Sequence, residues 1–228
     1  MCIRDSSNTY PEFLFLFNTG VRVGEMAGLT WDNIDFENNV ITINKTVNRY
    51  RKKDFGFTVA LASPKSRTSI RTFPMNDEVR KMFLKEKFRD TPPAAPLPFV
   101  DDSGNIRRQV KNIVFSNSFG NAWNEPGFLC LINRIIEAYN REAEETKRKK
   151  LENFCPHMAR HTYTSFAYSA GADVKAVSEI LGHASTSVTL DTYAHLTDEK
   201  KRQQEEIVRA IKVCLLYTSD AADEARSV

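Results

Sequence analysis

Cysteine is scarce here: the 228 residues hold four, and Cys2 and Cys214 fall in terminal segments set aside below. Cys130 and Cys155 sit in neither a C-x-x-C nor a metal-ligand spacing. That excludes a disulfide scaffold and a cysteine-based zinc site, and it points to a reduced, cytoplasmic setting. Long apolar runs are missing as well. Phe13-Leu14-Phe15-Leu16-Phe17 is the longest near the start, far short of the roughly 20 residues a spanning helix needs, so no membrane partner is expected. Internal repeats and low-complexity tracts are absent, which excludes solenoids and linker-like chains. Histidine numbers four. His157 and His161 have the i, i+4 spacing of a zinc-protease helix, but Met158 stands where that motif needs Glu. Neither sign of charge dominates, with 32 Lys and Arg against 29 Asp and Glu.

The two ends read differently from the rest. Residues 1–6 and 214–219 can be back-translated into stretches that are reverse complements over most of their length. Both resemble the transposase end used in sequencing-library adapters, and residues 220–224 would continue it. Residues 1–6 and 213–228 are therefore expected to be adapter translation and are excluded from fold reasoning. Residues 7–212 are then expected to be a fragment without a natural start or stop. Removing Arg4 and Arg226 together with Asp5, Asp220, Asp223 and Glu224 raises the formal net charge from +3 to +5. That is mildly basic and compatible with nucleic acid without demanding it. About 200 residues suffice for one hydrophobic core, so a single domain is expected.

In chain order, residues 11–17 read as the end of a buried helix that Asn18-Thr19-Gly20 breaks and residues 21–29 restart. Arg22 stands at the restart, where unpaired backbone amides favour an anion. Taken alone, an Arg there reads as a surface or ion-paired residue. After a turn at 31–35, residues 40–47 read as a strand by β-branched alternation, with further strands at 58–62 and 69–75. Between the last two, Ser63-Pro64-Lys65-Ser66-Arg67-Thr68 reads as a Pro-initiated hairpin turn with Lys65 at its edge. By itself that lysine is ordinary edge-strand protection. Asn76 caps a helix to about Arg89. Residues 91–98 form a proline-rich loop, 114–116 a short strand and 118–121 a turn. A long helix follows from Glu125 to about Lys150, its charged second half a solvated face. The last third is helical: 157–170 ending at Gly171, 174–181 ending at Gly182, a short helix around Tyr193, and an amphipathic helix over 198–212. Tyr163, Phe166 and Tyr168 are expected in the core, and His161 is expected to be a buried, structurally bonded histidine.

The informative cluster is Pro156-His157-Met158-Ala159-Arg160-His161-Thr162-Tyr163, followed by Leu181-Gly182-His183 and Tyr193. His157 and Arg160 lie three apart and share one helix face. An imidazole and a guanidinium converging on one point suit an anion, phosphate above all.

Taken together and in order, TGVRVGEMAGLTWDNID, ASPKSRTSIRTFPM, HMARHTYTSFAYSAG and LGHASTSVTLDTYAHL resemble the catalytic domain of tyrosine recombinases. FSNSFGNAWNEPGF, the helix containing INRIIEAYN, and HMARHT bring the chain near the phage and conjugative-transposon integrases of low-GC Gram-positive bacteria. The resemblance covers residues 11–212. It implies an α+β fold, mainly helical, with a small antiparallel β-sheet of about three strands. It also implies that the N-terminal arm and core-binding domain of such enzymes are missing from residues 7–212.

The resemblance implies roles as well. Tyr193 would attack the scissile phosphate to give a 3′-phosphotyrosyl bond and a free 5′-hydroxyl, conserving the bond energy so that religation needs no nucleotide cofactor. Arg22 and Arg160 would clamp the non-bridging oxygens, a task suited to the planar guanidinium fork. His157 would be base or acid toward the tyrosine hydroxyl, Lys65 would protonate the leaving 5′-oxygen, His183 would hydrogen-bond the phosphate, and Glu25 would brace the site. With two arginines supplying positive charge, neither metal nor cofactor is required. The implied partners are double-stranded DNA at attachment or core sites, further protomers in a synaptic tetramer, and in some systems an accessory excisionase, all in the bacterial cytoplasm on nucleoid DNA. Two other readings stay open: a DNA-binding fragment of the same fold without recombination activity, and a type IB topoisomerase-like enzyme, which LGHASTSVTLDTY matches less well.

Overall fold

The computed structural model describes residues 10–51, 56–64, 66–87, 94–101, 103–152 and 154–182. The chain divides into Met1–Ala184 and Ser185–Val228, and every described residue belongs to the first unit. Both proposed adapter segments, the helix expected around Tyr193 and the helix expected over 198–212 lie outside the described residues.

Helix α1 (Tyr10–Thr19) buries Pro11, Glu12, Phe15, Leu16 and Thr19, the i, i+3, i+4 stripe of a helix that packs on one side. Phe15 and Leu16 anchor the core. The Phe15 ring lies 5.5 Å from Phe83 and 5.2 Å from Phe115, and burial of each such side chain contributes about 1.5–3 kcal/mol. The helix stops where the Thr19 hydroxyl donates back to the Phe15 carbonyl at 2.6 Å and Gly20 turns left-handed at φ +64°. A Cβ at Gly20 would stand 2.7 Å from both Leu181 and Tyr163. Only glycine fits there, on conformation and on space. Short helix α2 (Val23–Ala27) follows at once.

The strands form two sheets rather than one. β1 (Ile34–Asp35), β2 (Val40–Ile43) and β5 (Arg71–Pro74) make an antiparallel sheet in that order. A small antiparallel sheet of three strands is thus present as expected, with Ile41 and Ile43 on its core face, but β1 falls in the stretch read as a turn and the strand expected at 58–62 lies in the other sheet. β3 (Thr46–Arg51), β4 (Phe57–Ala62), β6 (Leu97–Val100) and β7 (Ile106–Val110) form a second sheet, in which β4 and β6 run parallel. The continuous strand expected over 40–47 therefore breaks at Asn44-Lys45. There the Lys45 carbonyl passes so close to Gly28 that a Cβ on Gly28 would meet it at 3.1 Å. Residues 63–68 are likewise not a hairpin turn, because β4 pairs with β3 and β6 whereas β5 pairs with β2. They join the two sheets through a 3₁₀ turn (Arg67–Ser69), in which the Ser66 hydroxyl contacts those of Thr68 and Ser69 at 2.9 and 2.8 Å. The β6–β7 hairpin was not legible in sequence: its first strand begins inside the proline-rich loop and its second is exposed at four of five positions. The strand expected at 114–116 is reduced to isolated bridges, Thr30 with Ile113 and Ser116 with Ala122.

Helix α3 (Asp77–Lys87) is capped by Asn76, whose side chain accepts from the Val79 amide at 2.9 Å, and buries Val79, Met82 and Phe83. Helix α4 (Glu125–Glu145) has Asn124 as its cap, accepting from Gly127. It ends five residues before the expected end, where the Arg148 amide reaches back to the Ala143 carbonyl at 2.8 Å and Lys147 adopts φ +54°. Helix α5 (Pro156–Ser169) begins with proline at its first position, where the missing N–H costs nothing. Helix α6 (Val174–Leu181) is capped by the Asp173 carboxylate and stopped by left-handed Gly182.

Candidate active site

Three elements meet where α2 begins. Arg22 precedes α2 in extended conformation (φ −75°, ψ 152°), so its side chain leaves the helix axis and remains 41% exposed. One turn on, Glu25 reaches back: its carboxylate accepts from the Arg22 amide and from Arg22 Nη1, both at 3.0 Å. The same carboxylate is gripped from the other side by Arg71, the first residue of β5, with Nη1 at 3.1 Å and Nη2 at 2.9 Å. Burial favours the protonated form of Glu25. Two guanidiniums override that, and the net pKa falls below the ordinary carboxylate value, holding Glu25 ionised.

Arg160 enters from α5, whose inward face is Ala159, Arg160, Thr164 and Tyr168. It is only 5% exposed. Its Nη1 donates to the Gly20 carbonyl at 2.8 Å and its Nη2 to the Leu181 carbonyl at 2.6 Å, tying the ends of α1 and α6 to α5. Desolvation first, and the Arg22 cation second, bring its pKa down to about 9, still high enough to stay charged at neutral pH. His157 lies one turn earlier at the exposed rim. Partial desolvation of its ring, then the cations of Arg160 and Arg22, hold its pKa below the ordinary 6.5, with Glu125 opposing weakly. The imidazole is therefore neutral at pH 7 and able to take a proton.

Arg22, His157 and Arg160 line one concavity of about 200 Å³ together with Thr46, Asn48 and Glu125. Two guanidiniums and a neutral imidazole around such a space can bind a tetrahedral anion, stabilise added charge on its oxygens, and relay a proton at its edge. Of the expected site residues, the structure brings together Arg22, Glu25, His157 and Arg160; Lys65, His183 and Tyr193 lie outside the described residues. No cluster of three or more metal-ligating side chains occurs among the described residues, nor does any described helix have the length and apolarity to cross a membrane.

Two expectations on α5 are overturned. His161 is exposed, not buried, and Phe166 is 70% exposed rather than in the core; the residues α5 buries are Ala159, Arg160, Thr164 and Tyr168. Tyr168 is buried as expected, and Tyr163 is partly buried. Sequence reasoning passed over Arg71. Its signal was alternation: in β5, Arg71 and Phe73 are buried while Thr72 and Pro74 are exposed, and an inward-facing charge needs a buried counter-charge.

The comparisons with known proteins agree with this architecture. The family described as the phage integrase family matches residues 3–200. The chain is 28% identical over 212 residues to the transposase from transposon Tn916 of Enterococcus faecalis, covering 89% of this chain and 48% of that protein. It is 29% identical over 196 residues to a XerC-like tyrosine recombinase of Caldanaerobacter subterraneus subsp. tengcongensis, covering 83% of this chain and 46% of that one. Among solved structures, the Tn1549 transposon integrase in complex with transposon right end DNA superposes with a TM-score of 0.66 at 30% identity, over 88% of this chain and 58% of that one. The chain spans about half the length of the curated relatives it matches. With the family match running across nearly the whole chain and its arginines and histidine gathered in one concavity, this chain belongs to the phage integrase family, as a tyrosine recombinase catalytic domain.

Proposed function

We propose that the chain is the strand-transfer module of a site-specific DNA recombinase that cuts and rejoins duplex DNA through a 3′-phosphotyrosyl intermediate, acting in a synaptic assembly with further protomers. The observation that carries the reading is the convergence of Arg22 and Arg160, from opposite ends of the described chain, with His157 on one concavity. In this mechanism the Tyr193 hydroxyl attacks the scissile phosphorus, its proton passing to His157, which is neutral at pH 7. The phosphorus–5′-oxygen bond breaks as the tyrosyl bond forms, and Lys65 donates the proton that the leaving 5′-oxygen takes up. Arg22 and Arg160, with His183, hold the non-bridging oxygens, where charge builds in the transition state. The reverse reaction with a different 5′-hydroxyl joins new partners.

The test is covalent trapping. A 5′-labelled, nicked duplex pool with a randomised core is incubated with the chain without divalent metal, and label retained on protein under denaturing conditions is measured. A labelled adduct that disappears in Tyr193→Phe is expected, and the trapped sequences report the preferred core. An adduct that persists in Tyr193→Phe, or none with the unsubstituted chain, overturns the proposal. Plasmid relaxation without paired sites would instead place the chain with the topoisomerase-like enzymes.

A further inference from the structure

Arg71 takes no place on the wall of the concavity, yet two of its four hydrogen bonds reach Glu25 on α2, which helps build it, and the other two reach Ser69 and Ile180. Its Nη1 and Nη2 fork onto the Glu25 carboxylate at 3.1 and 2.9 Å, and Glu25 in turn holds the Arg22 backbone and guanidinium. Nη1 also donates to the Ser69 carbonyl at 3.0 Å, pinning the 3₁₀ turn that follows Lys65. Nε donates to the Ile180 carbonyl in the last turn of α6, beside the Leu181 carbonyl that Arg160 takes. Gly182 then packs against it: a Cβ there would meet Arg71 Nη1 at 3.1 Å, and φ +68° already demands glycine. The next residue in sequence is His183. A single buried guanidinium thus joins the supports of Arg22, the turn after Lys65 and the helix end before His183.

From this geometry we infer that Arg71 is a positioning residue for strand cleavage, setting Arg22 through Glu25 and setting the end of α6 through Ile180. The inference rests on the recombinase reading for its chemistry but not for its geometry. Arginine is required because the role uses three separated N–H directions at once: a fork onto one carboxylate, a side branch to Ser69 and the Nε–H to Ile180. A lysine keeps the charge and can satisfy only part of that set.

The test compares Arg71→Lys with the double variant Arg71→Met, Glu25→Gln, which removes both buried charges and leaves neither unpaired. Three quantities are read: duplex DNA affinity by fluorescence anisotropy, the single-turnover rate of adduct formation at saturating nicked DNA, and amide hydrogen exchange in the last turn of α6. Positioning predicts affinity within about threefold of the unsubstituted chain, because many phosphate contacts persist, with cleavage slowed at least tenfold in both variants. It also predicts faster exchange at the α6 end with unchanged exchange in α1. A methylphosphonate at the scissile position, which lacks one anionic oxygen, should shrink the defect of Arg71→Lys, since a neutral centre asks less of Arg22. A 5′-phosphorothiolate, which relieves only leaving-group protonation, should not. Cleavage by Arg71→Lys at the unsubstituted rate overturns the inference, as does a defect equal on phosphodiester and methylphosphonate, which marks a general folding lesion. Unchanged exchange at the α6 end overturns it whether or not the chain cleaves DNA. Failure of the unsubstituted chain to form an adduct bears only on the recombinase proposal.

Discussion

Arg22 and Arg160 face one concavity from opposite environments. Arg22 is half open to solvent and held by a side chain three residues away, Glu25. Arg160 is buried and held by backbone carbonyls from two remote segments, Gly20 and Leu181. Alike in chemistry, they differ in what their removal breaks. Loss of Arg22 takes away one local partner of Glu25 and leaves the Arg71 fork on the carboxylate. Loss of Arg160 leaves two desolvated carbonyls and a hole where three helices are tied. One side of the site is therefore tunable at little cost to the fold, and the other is part of the fold.

The largest effect is expected for Arg160→Ala. It should slow adduct formation by about 10²–10³ and also lower stability by about 1–3 kcal/mol, the cost of leaving buried acceptors unsatisfied. Rate and urea unfolding should fall together; a rate loss with unchanged stability would break the contrast. Glu25→Ala comes next. Removing one partner of a buried ion pair strands Arg71, which costs about 3–5 kcal/mol, so the chemical midpoint of unfolding should drop well before any effect on DNA binding is resolved. Because the folded-state pKa of Glu25 is depressed, its contribution is present above the ordinary carboxylate pKa and is lost as pH falls through the lower folded value. The acid limb of the stability curve should flatten in Glu25→Gln.

A smaller structural effect, about 1 kcal/mol or less, is expected for Arg22→Lys, because lysine keeps the positive charge, the backbone amide still donates to Glu25 and the Arg71 fork stays on the carboxylate. Cleavage should nonetheless fall about tenfold or more, since the planar fork is lost. Equal stability losses in Arg22→Lys and Arg160→Ala would erase the comparison. The smallest change is a shift in pH dependence. The His157 pKa is depressed below 6.5, so the imidazole is neutral from neutral pH down to its folded pKa and is protonated below it. The acid limb of the cleavage rate should have its midpoint below 6.5 and should vanish in His157→Gln, leaving a lower, flatter profile.

Much of this was legible along the chain, and the reasons differ from place to place. Helices α5 and α6 could be read because their ends are local chemistry: Gly171 and Gly182 each take a positive φ that glycine adopts without strain. The i, i+3 spacing of His157 and Arg160 likewise placed both near one target before any contact was known. The strand over 40–47 and the hairpin turn at 63–68 were misread because strand pairing is non-local. Nothing within residues 40–47 announces that β2 joins β5 while β3 joins β4. Phe166 misled because an aromatic residue on a helix does not declare its face when the neighbouring polar positions are Ser, Thr and Tyr.

The amino-acid sequence by itself determined the main helices of the described residues, the family resemblance and the residue types able to hold a phosphate. These depend on neighbours within one or two turns, where backbone sterics and hydrogen-bond spacing act alone. Tertiary structure decided that two sheets form instead of one, that Arg160 spends two N–H groups on the Gly20 and Leu181 carbonyls, and that Arg71 is the buried counter-charge of Glu25. Residues 25 and 71 stand 46 positions apart in sequence and meet only through the tertiary fold. A desolvated carboxylate then needs a cation, and the fold supplies one from a strand that nothing local connects to it.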